Sequence, residues 1–245
     1  MTHFLSSCIK ANEEIYLSLA QPYPDEFFKM GKVGAGGDES SGLDMFAEAV
    51  FVKHLDEYGQ IESEESGLIG EERATTIIID PIDGSSNALS YFPYFGTSVA
   101  KLRGGVVDTA MVCNLANGDY FIKDSGGEVL QGKLFRDRLE PPVVAPASPI
   151  GLFEKAYNYP KLAKELTKNG LKFRSSGAVA LSLAYAQSVK YLLFMGKYRK
   201  YDFVAGLALC DSLEVIIEDD YVIVSKEKKV AKRIRKLIKQ SYKGE

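Results

Sequence analysis

The sequence predicts a mixed α/β protein: an antiparallel sheet with helices first, then a half in which helices and strands alternate. Three observations carry this. Runs of β-type residues separated by Gly104-Gly105, Asn117-Gly118 and Gly126-Gly127 read as a hairpin meander. Beyond residue 150, helical and strand patterns take turns. Between the two lies a stretch with Pro141, Pro142, Pro146 and Pro149, which puts the boundary near residue 138 and divides the chain into 1–138 and 139–245.

Taken in order, residues 4–20 place Phe4, Leu5, Cys8, Ile15 and Leu19 on one face of an amphipathic helix, which Pro22 and Pro24 end. Residues 31–42 are glycine-rich. They match neither a phosphate-binding P-loop nor a dinucleotide fingerprint, and they read as a mobile loop or as a flap bringing Asp38 or Asp44 to a site. Residues 43–58 give a second helix with Asp44 in its first turn, where the helix dipole favours an acid. A buried strand at 77–79 leads into Asp80-Pro81. Proline cannot continue a helix there, so a turn is predicted at the first carboxylate. A helix start is predicted at Ser85-Ser86-Asn87. Strands follow at 97–102, 106–113, 120–123, 128–130 and 143–145. The second half reads as helix 151–168, strand 171–173, helix 178–187, strand 191–194, helix 203–212, a hairpin 213–217/221–224 and a basic helix 226–241.

The bulk numbers exclude several functions. A net charge of −3 and a pI near 5.6 argue against a nucleic-acid partner. No apolar run approaches the roughly 18 residues of a membrane span, and residues 1–10 do not form a secretory signal. Cys8, Cys113 and Cys210 are far apart and read as buried hydrophobes in a reducing cytoplasm. With His3 and His54 as the only histidines, a metal would be held by oxygen, which favours Mg²⁺ or Mn²⁺.

Four acids stand out: Glu64, Asp80, Asp83 and Asp202. Three of them have an ordinary reading too. Ser63-Glu64-Glu65-Ser66 could be a solvated acidic loop, with Glu71-Glu72 as a rival pair; Asp83 could be a turn residue, and Asp202 the N-cap of a helix. Together they suit phosphoryl transfer, which needs charge compensation, an activated water and help for the leaving oxygen. Carboxylates from several segments holding divalent cations supply all three. Gly84, Ser85 and Ser86 would cradle the phosphate with main-chain N–H groups.

Asp80-Pro81-Ile82-Asp83-Gly84-Ser85-Ser86-Asn87 resembles the DP[IL]DG[ST]xN motif of the inositol monophosphatase/fructose-1,6-bisphosphatase superfamily, the lithium-sensitive, magnesium-dependent sugar phosphatases. Ser63-Glu64-Glu65-Ser66, Arg174-Ser175-Ser176-Gly177-Ala178 and Asp202-Phe203-Val204-Ala205-Gly206 look like its other segments, in order, so the resemblance covers roughly 40–212. It implies a layered α-β-α-β-α sandwich and two or three Mg²⁺ ions. Glu64, Asp80 and the Ile82 carbonyl would hold the first, Asp80, Asp83 and Asp202 the second, and Glu65 and Asp44 a weaker third. Ser85 with Glu64 would orient the attacking water, and Arg174 is a further candidate for the anionic substrate. The implied reaction is in-line hydrolysis of an inositol monophosphate or fructose-1,6-bisphosphate type substrate without a phosphoenzyme, inhibited by Li⁺, in a homodimer. Alternatives are a 3′-phosphoadenosine nucleotide phosphatase and a non-catalytic binding or regulatory relative. Tyr201 stands where the family has Trp, and Asp211-Ser212-Leu213-Glu214 replaces its EAGG. Asp83→Asn is expected to remove activity while the fold survives.

Overall fold

The computed structural model describes residues 1–242. The chain opens with helix α1 (His3–Leu19), hairpin strands β1 (Met30–Val33) and β2 (Glu39–Ser41), helix α2 (Gly42–Leu55) and strands β3 (Gln60–Ser63), β4 (Gly67–Ile69) and β5 (Thr75–Asp83). The short helix α3 (Ser85–Leu89) precedes the meander β6 (Gly96–Arg103), β7 (Val106–Asn114), β8 (Asp119–Asp124) and β9 (Leu130–Lys133). Then come β10 (Gly151–Glu154), α4 (Pro160–Lys168), β11 (Phe173–Arg174), α5 (Val179–Ala184), β12 (Leu192–Met195), α6 (Lys200–Ala208), β13 (Glu214–Glu218), β14 (Tyr221–Ser225) and α7 (Lys228–Ser241).

These elements stack in five layers, α-β-α-β-α. A seven-stranded mixed sheet, order β4-β3-β5-β6-β7-β8-β9, and a five-stranded mixed sheet, order β11-β10-β12-β14-β13, are the two β layers. The outer face of the first sheet carries Ile77, Ile79, Val99, Met111 and Cys113, which pack on Leu5, Cys8 and Ile15 of α1 and Leu43, Ala47 and Phe51 of α2. Its inner face, with Ala100, Ala110, Val112 and Phe121, meets Ala180 and Leu181 of α5 and Ala205 of α6. The other side of that middle layer, with Leu183 and Phe203, packs on Leu152, Leu192, Phe194, Val222 and Val224 of the second sheet. Phe153, Leu193 and Ile223 on the far face are covered by Leu162 and Leu166 of α4 and Val230, Ile234 and Leu237 of α7. Because α5 and α6 are apolar on both sides, they are buried between sheets rather than laid on a surface.

Several expectations are corrected. Residues 30–41 are not a plain loop: β1 and β2 pair antiparallel. The backbone does not turn at Asp80. Strand β5 runs on to Asp83, with a register shift between Asp80, opposite Ser98, and Asp83, opposite Gly96. Three steps on one strand against two on its neighbour make a β-bulge, which accommodates Pro81 and its missing N–H. No strand forms at 143–145. The N-terminal part of the predicted helix 151–168 is strand β10, parallel to β11 and β12. Helix α6 starts three residues earlier than predicted, so Arg199 is its N-cap residue and Asp202 lies in its first turn. Without the EAGG segment, a turn closed by Leu213 N–H to the Cys210 carbonyl still joins α6 to β13. Cys8, Cys113 and Cys210 are buried free thiols, and no described helix is long and apolar enough to cross a membrane.

Candidate active site

The bulge in β5 decides where the acids go. In a regular strand, residues three apart face opposite sides. The extra residue restores the parity, so Ile77, Ile79 and Ile82 point into the outer core while Asp80 and Asp83 line one cavity on the other side. Gly84 ends the strand with φ +91°, a left-handed conformation, and a Cβ there would stand 3.1 Å from the Gly177 carbonyl oxygen and from Ala178 Cβ. Helix α3 starts at Ser85; the Asn87 and Ala88 N–H groups return to the Gly84 carbonyl, which leaves the Ser85 and Ser86 N–H groups for a ligand.

The cavity holds about 490 Å³ and gathers residues from both halves of the chain. Carboxylate oxygens of Glu64, Asp80 and Asp202 lie within 4.8 Å of one another. Asp80 is 3% exposed, and among the described residues no hydrogen bond or ion pair reaches its side chain. Burial, then the charges of Glu64 and Asp83, hold its pKa well above the usual aspartate range. Glu64, at the end of β3, is pushed up to about 7 by burial and by Asp202, with Arg199 opposing. Such a cluster is costly for the metal-free chain, and a buried carboxylate with no partner is the donor a hard divalent cation would take.

Arg199 supplies the nearest positive charge. Its Nε is 2.7 Å from Asp202 Oδ2, and its Nη1 is 3.2 Å from Glu64 Oε1 and 2.7 Å from Asp38 Oδ2 on the β1–β2 hairpin. The hairpin rests on the acidic turn through Gly36 N–H to the Glu64 carbonyl at 2.7 Å and Ala35 N–H to the Glu65 carbonyl at 3.0 Å.

Asp44 is tied more tightly than its sequence position suggests. Its Oδ2 accepts from the backbone N–H and hydroxyl of Ser41 at 2.7 and 2.6 Å, completing a capping box for α2. Its Oδ1 is 2.5 Å from the Ser85 hydroxyl, which also lies 3.0 Å from the Ile82 carbonyl. Glu65 accepts from the Ser40 hydroxyl, and burial moves its pKa up to about 7. Ser86 lines the cavity, whereas Arg174 does not: its guanidinium donates to the adjacent Phe173 carbonyl. Glu71 and Glu72 are exposed and lie outside the cavity.

Asp83 differs most from expectation. Both oxygens accept main-chain N–H groups of α5, from Val179 at 2.8 Å and Leu181 at 2.7 Å. Asparagine offers one acceptor and would point its amide donor at the second N–H. We therefore expect Asp83→Asn to destabilise the fold by about 1–3 kcal/mol, the cost of one unpaired buried donor. Thermal melts check this, and an unchanged melting temperature would show the α5 cap to be dispensable.

Glu154, Lys155, Tyr157 and Arg199 line the cavity but were not singled out as site residues by motif. Glu154 is fully buried. It accepts from Gly177 N–H at 2.7 Å and the Ser182 hydroxyl at 2.6 Å, and so fixes the loop into α5 from the second sheet. Lys155 adopts φ +56°, a rare conformation for a residue with a side chain, at the cavity rim. That strained residue after a four-residue buried strand is the signal that a helical reading of 151–168 conceals. A larger cavity of about 610 Å³, between the β6–β7 hairpin and α6, has no comparable gathering of acids among the described residues.

Two mixed sheets around a helical layer, with an acidic cluster between the two halves, give the mixed α/β fold seen in inositol monophosphatase and SuhB structures. The chain belongs to the inositol monophosphatase family, whose model matches residues 9–213. It is 29% identical over 196 residues to the fructose-1,6-bisphosphatase of Pyrococcus furiosus, covering 78% of this chain and 74% of that protein. It is 31% identical over 194 residues to the Nus factor SuhB of Escherichia coli, covering 74% and 72%. Among solved structures, the extragenic suppressor protein SuhB of Bartonella henselae superposes with a TM-score of 0.78 at 19% identity over 100% of both chains. The Thermotoga maritima IMPase superposes with a TM-score of 0.77 at 20% identity over 97% and 98%.

Proposed function

We propose that the chain is a Mg²⁺-dependent phosphomonoester hydrolase acting on a small sugar or polyol phosphate of the inositol monophosphate or fructose-1,6-bisphosphate class. The observation that carries this is the convergence of Glu64, Asp80 and Asp202, with Asp80 lacking any partner, beside the Gly84–Ser86 turn. In this reading residues 1–138 contribute Glu64, Asp80, Asp83 and the Ile82 carbonyl, and residues 139–245 contribute Asp202. When bound, divalent cations compensate the phosphate's charge and make a bound water acidic.

The chain's own groups do the rest. Ser85 donates its hydroxyl proton to Asp44, so its free lone pairs take a hydrogen bond from the attacking water, while the Glu64 carboxylate faces the same cavity. First-turn N–H groups at Ser85 and Ser86 hold the phosphate oxygens. Asp83 sets α5 against the site and holds part of the ligand set in place. The buried free thiols fit a reducing cytoplasm.

The likeness to proteins named Nus factor SuhB favours a second reading, in which the fold serves as a binding or regulatory subunit. Phosphate release from inositol-1-phosphate, fructose-1,6-bisphosphate, a 3′-phosphoadenosine nucleotide and an aryl phosphate, with Mg²⁺ and with chelator, separates the two. We expect Mg²⁺-dependent release from the sugar phosphates; its absence across the panel would leave the subunit reading.

A further inference from the structure

One guanidinium joins three segments of the chain at the edge of the acidic cluster. Arg199 Nε and Nη2 lie 2.7 and 3.2 Å from the two Asp202 oxygens, a fork that uses the whole carboxylate. Nη1 reaches Glu64 Oε1 at 3.2 Å, Asp38 Oδ2 at 2.7 Å and the Gly36 carbonyl at 3.4 Å. Two of the three clustered acids are thus held by Arg199, and only Asp80 is left bare. The geometry around Glu64 is enforced: a Cβ at Gly36 would stand 2.4 to 2.8 Å from the Glu64 side chain, so the hairpin packs directly against that carboxylate.

A cation placed on Glu64 and Asp202 cannot share their oxygens with this fork at full strength. We infer that Arg199 competes with the divalent cation for Glu64 and Asp202, and that phosphate in the same cavity gives the displaced guanidinium its replacement partner. The inference rests on the metal-phosphatase reading above and adds a coupling to it. A planar guanidinium pairs with phosphate by two parallel hydrogen bonds as well as with carboxylate. Arg199 lines the cavity together with Gly84, Ser85 and Ser86, so the exchange takes place within one site. Metal alone has to displace the arginine from a good fork, and phosphate alone meets an acidic cluster. Together, each removes what opposes the other, and the coupling is reciprocal. Arg199 is in this sense a positioning residue whose charge links two ligands.

The test is equilibrium binding of Mn²⁺, followed by electron paramagnetic resonance, with and without inorganic phosphate, to the whole chain and to Arg199→Gln and Arg199→Lys. The wild type is expected to bind Mn²⁺ more tightly with phosphate present, by a factor within the roughly 5- to 150-fold range of site–site coupling. Arg199→Gln removes the competitor, so Mn²⁺ alone binds it more tightly than the wild type, and the gain from phosphate shrinks. Arg199→Lys keeps the charge without the fork and falls between the two; it also serves if the glutamine variant does not fold. Weaker Mn²⁺ binding to Arg199→Gln, or a phosphate gain unchanged in both variants, would overturn the inference. A wild type that binds no Mn²⁺ at all would instead remove the metal-phosphatase reading beneath it.

Discussion

Asp80→Asn is expected to abolish Mg²⁺-dependent phosphate release and, in the same protein, to raise the melting temperature measured in chelator. The two effects share one cause. Asp80 is buried, its side chain carries no hydrogen bond or ion pair among the described residues, and it faces Glu64, Asp83 and Asp202. Its charge opposes folding of the metal-free chain through lost hydration and through repulsion. Asparagine keeps the shape and removes the charge. For a chain of this size each kcal/mol gained raises the midpoint by about 2–4 °C. Catalysis moves the other way. Changes to residues that only orient a metal ligand commonly lower activity about 10- to 100-fold, so replacing a ligand itself is expected to exceed about 100-fold. Calorimetry in chelator and phosphate-release assays in Mg²⁺ read the two arms. A variant that keeps its turnover would show that Asp80 is not a ligand. One that melts lower in chelator would show that its charge is compensated in the fold.

The contrast with Asp83 shows what sequence could and could not reveal. Both acids sit in one eight-residue motif, and that motif was legible because its chemistry is local in the chain. What separates them is not local. Asp83 caps a helix almost a hundred residues away, through Val179 and Leu181. The bulge at Pro81 was also hidden, since an isolated Asp-Pro suggests a turn, and only pairing with Ser98 and Gly96 reveals a continuing strand. The four-residue strand β10 is fully buried, so it lacks the alternation that marks a strand with one wet face. Its apolar residues merged with those of α4, and Glu154, Lys155 and Tyr157 went with it. The hairpin β1–β2 failed for the opposite reason: β1 is exposed throughout, and no hydrophobic period betrays it. In the sequence Arg199 belongs to the basic cluster Lys197–Lys200, which reads equally as a solvated loop or as a contact for an anionic substrate. Its role depends on α6 starting at Lys200, which brings Asp202 into the first turn beside it.

The metal-free protein is expected to lose stability as pH rises from about 5 to 7.5, and added Mg²⁺ is expected to reverse that loss. Glu64 and Glu65, ordinarily near 4.5, are raised to about 7 in the fold, chiefly by burial, and Asp80 and Asp83 are raised as well. Between the unfolded and folded pKa values the native state binds more protons than the unfolded chain. Stability therefore falls with rising pH across that window. Below their ordinary pKa these acids are protonated in both states and cost little; above it the unfolded chain ionises first, and as pH passes the folded pKa of about 7 of Glu64 and Glu65 the protonated form that favoured the fold is gone. Three acids act in the opposite sense: Glu14 and Asp108 have depressed pKa values through hydrogen bonds from Lys53 and Lys101 respectively, and Glu26 through a backbone hydrogen bond, so their contribution is lost only as pH falls below the ordinary carboxylate range. The two trends place the stability maximum of the metal-free chain near the ordinary carboxylate pKa, well below neutral pH. A cation bound by the native cluster and not by the unfolded chain adds about 2.7 kcal/mol at a hundred times its dissociation constant. At about 2–4 °C per kcal/mol this is a rise of roughly 5–11 °C. The rise is expected to be larger at pH 7.5 than at pH 5, because ligands protonated at pH 5 must first lose their protons to bind. Melting temperatures over this range, in chelator and in Mg²⁺, supply the check. A melting temperature in chelator that climbs from pH 5 to 7.5 would mean that these carboxylates are not strained by their burial. A Mg²⁺ shift of equal size at both ends would mean that the cation binds away from them.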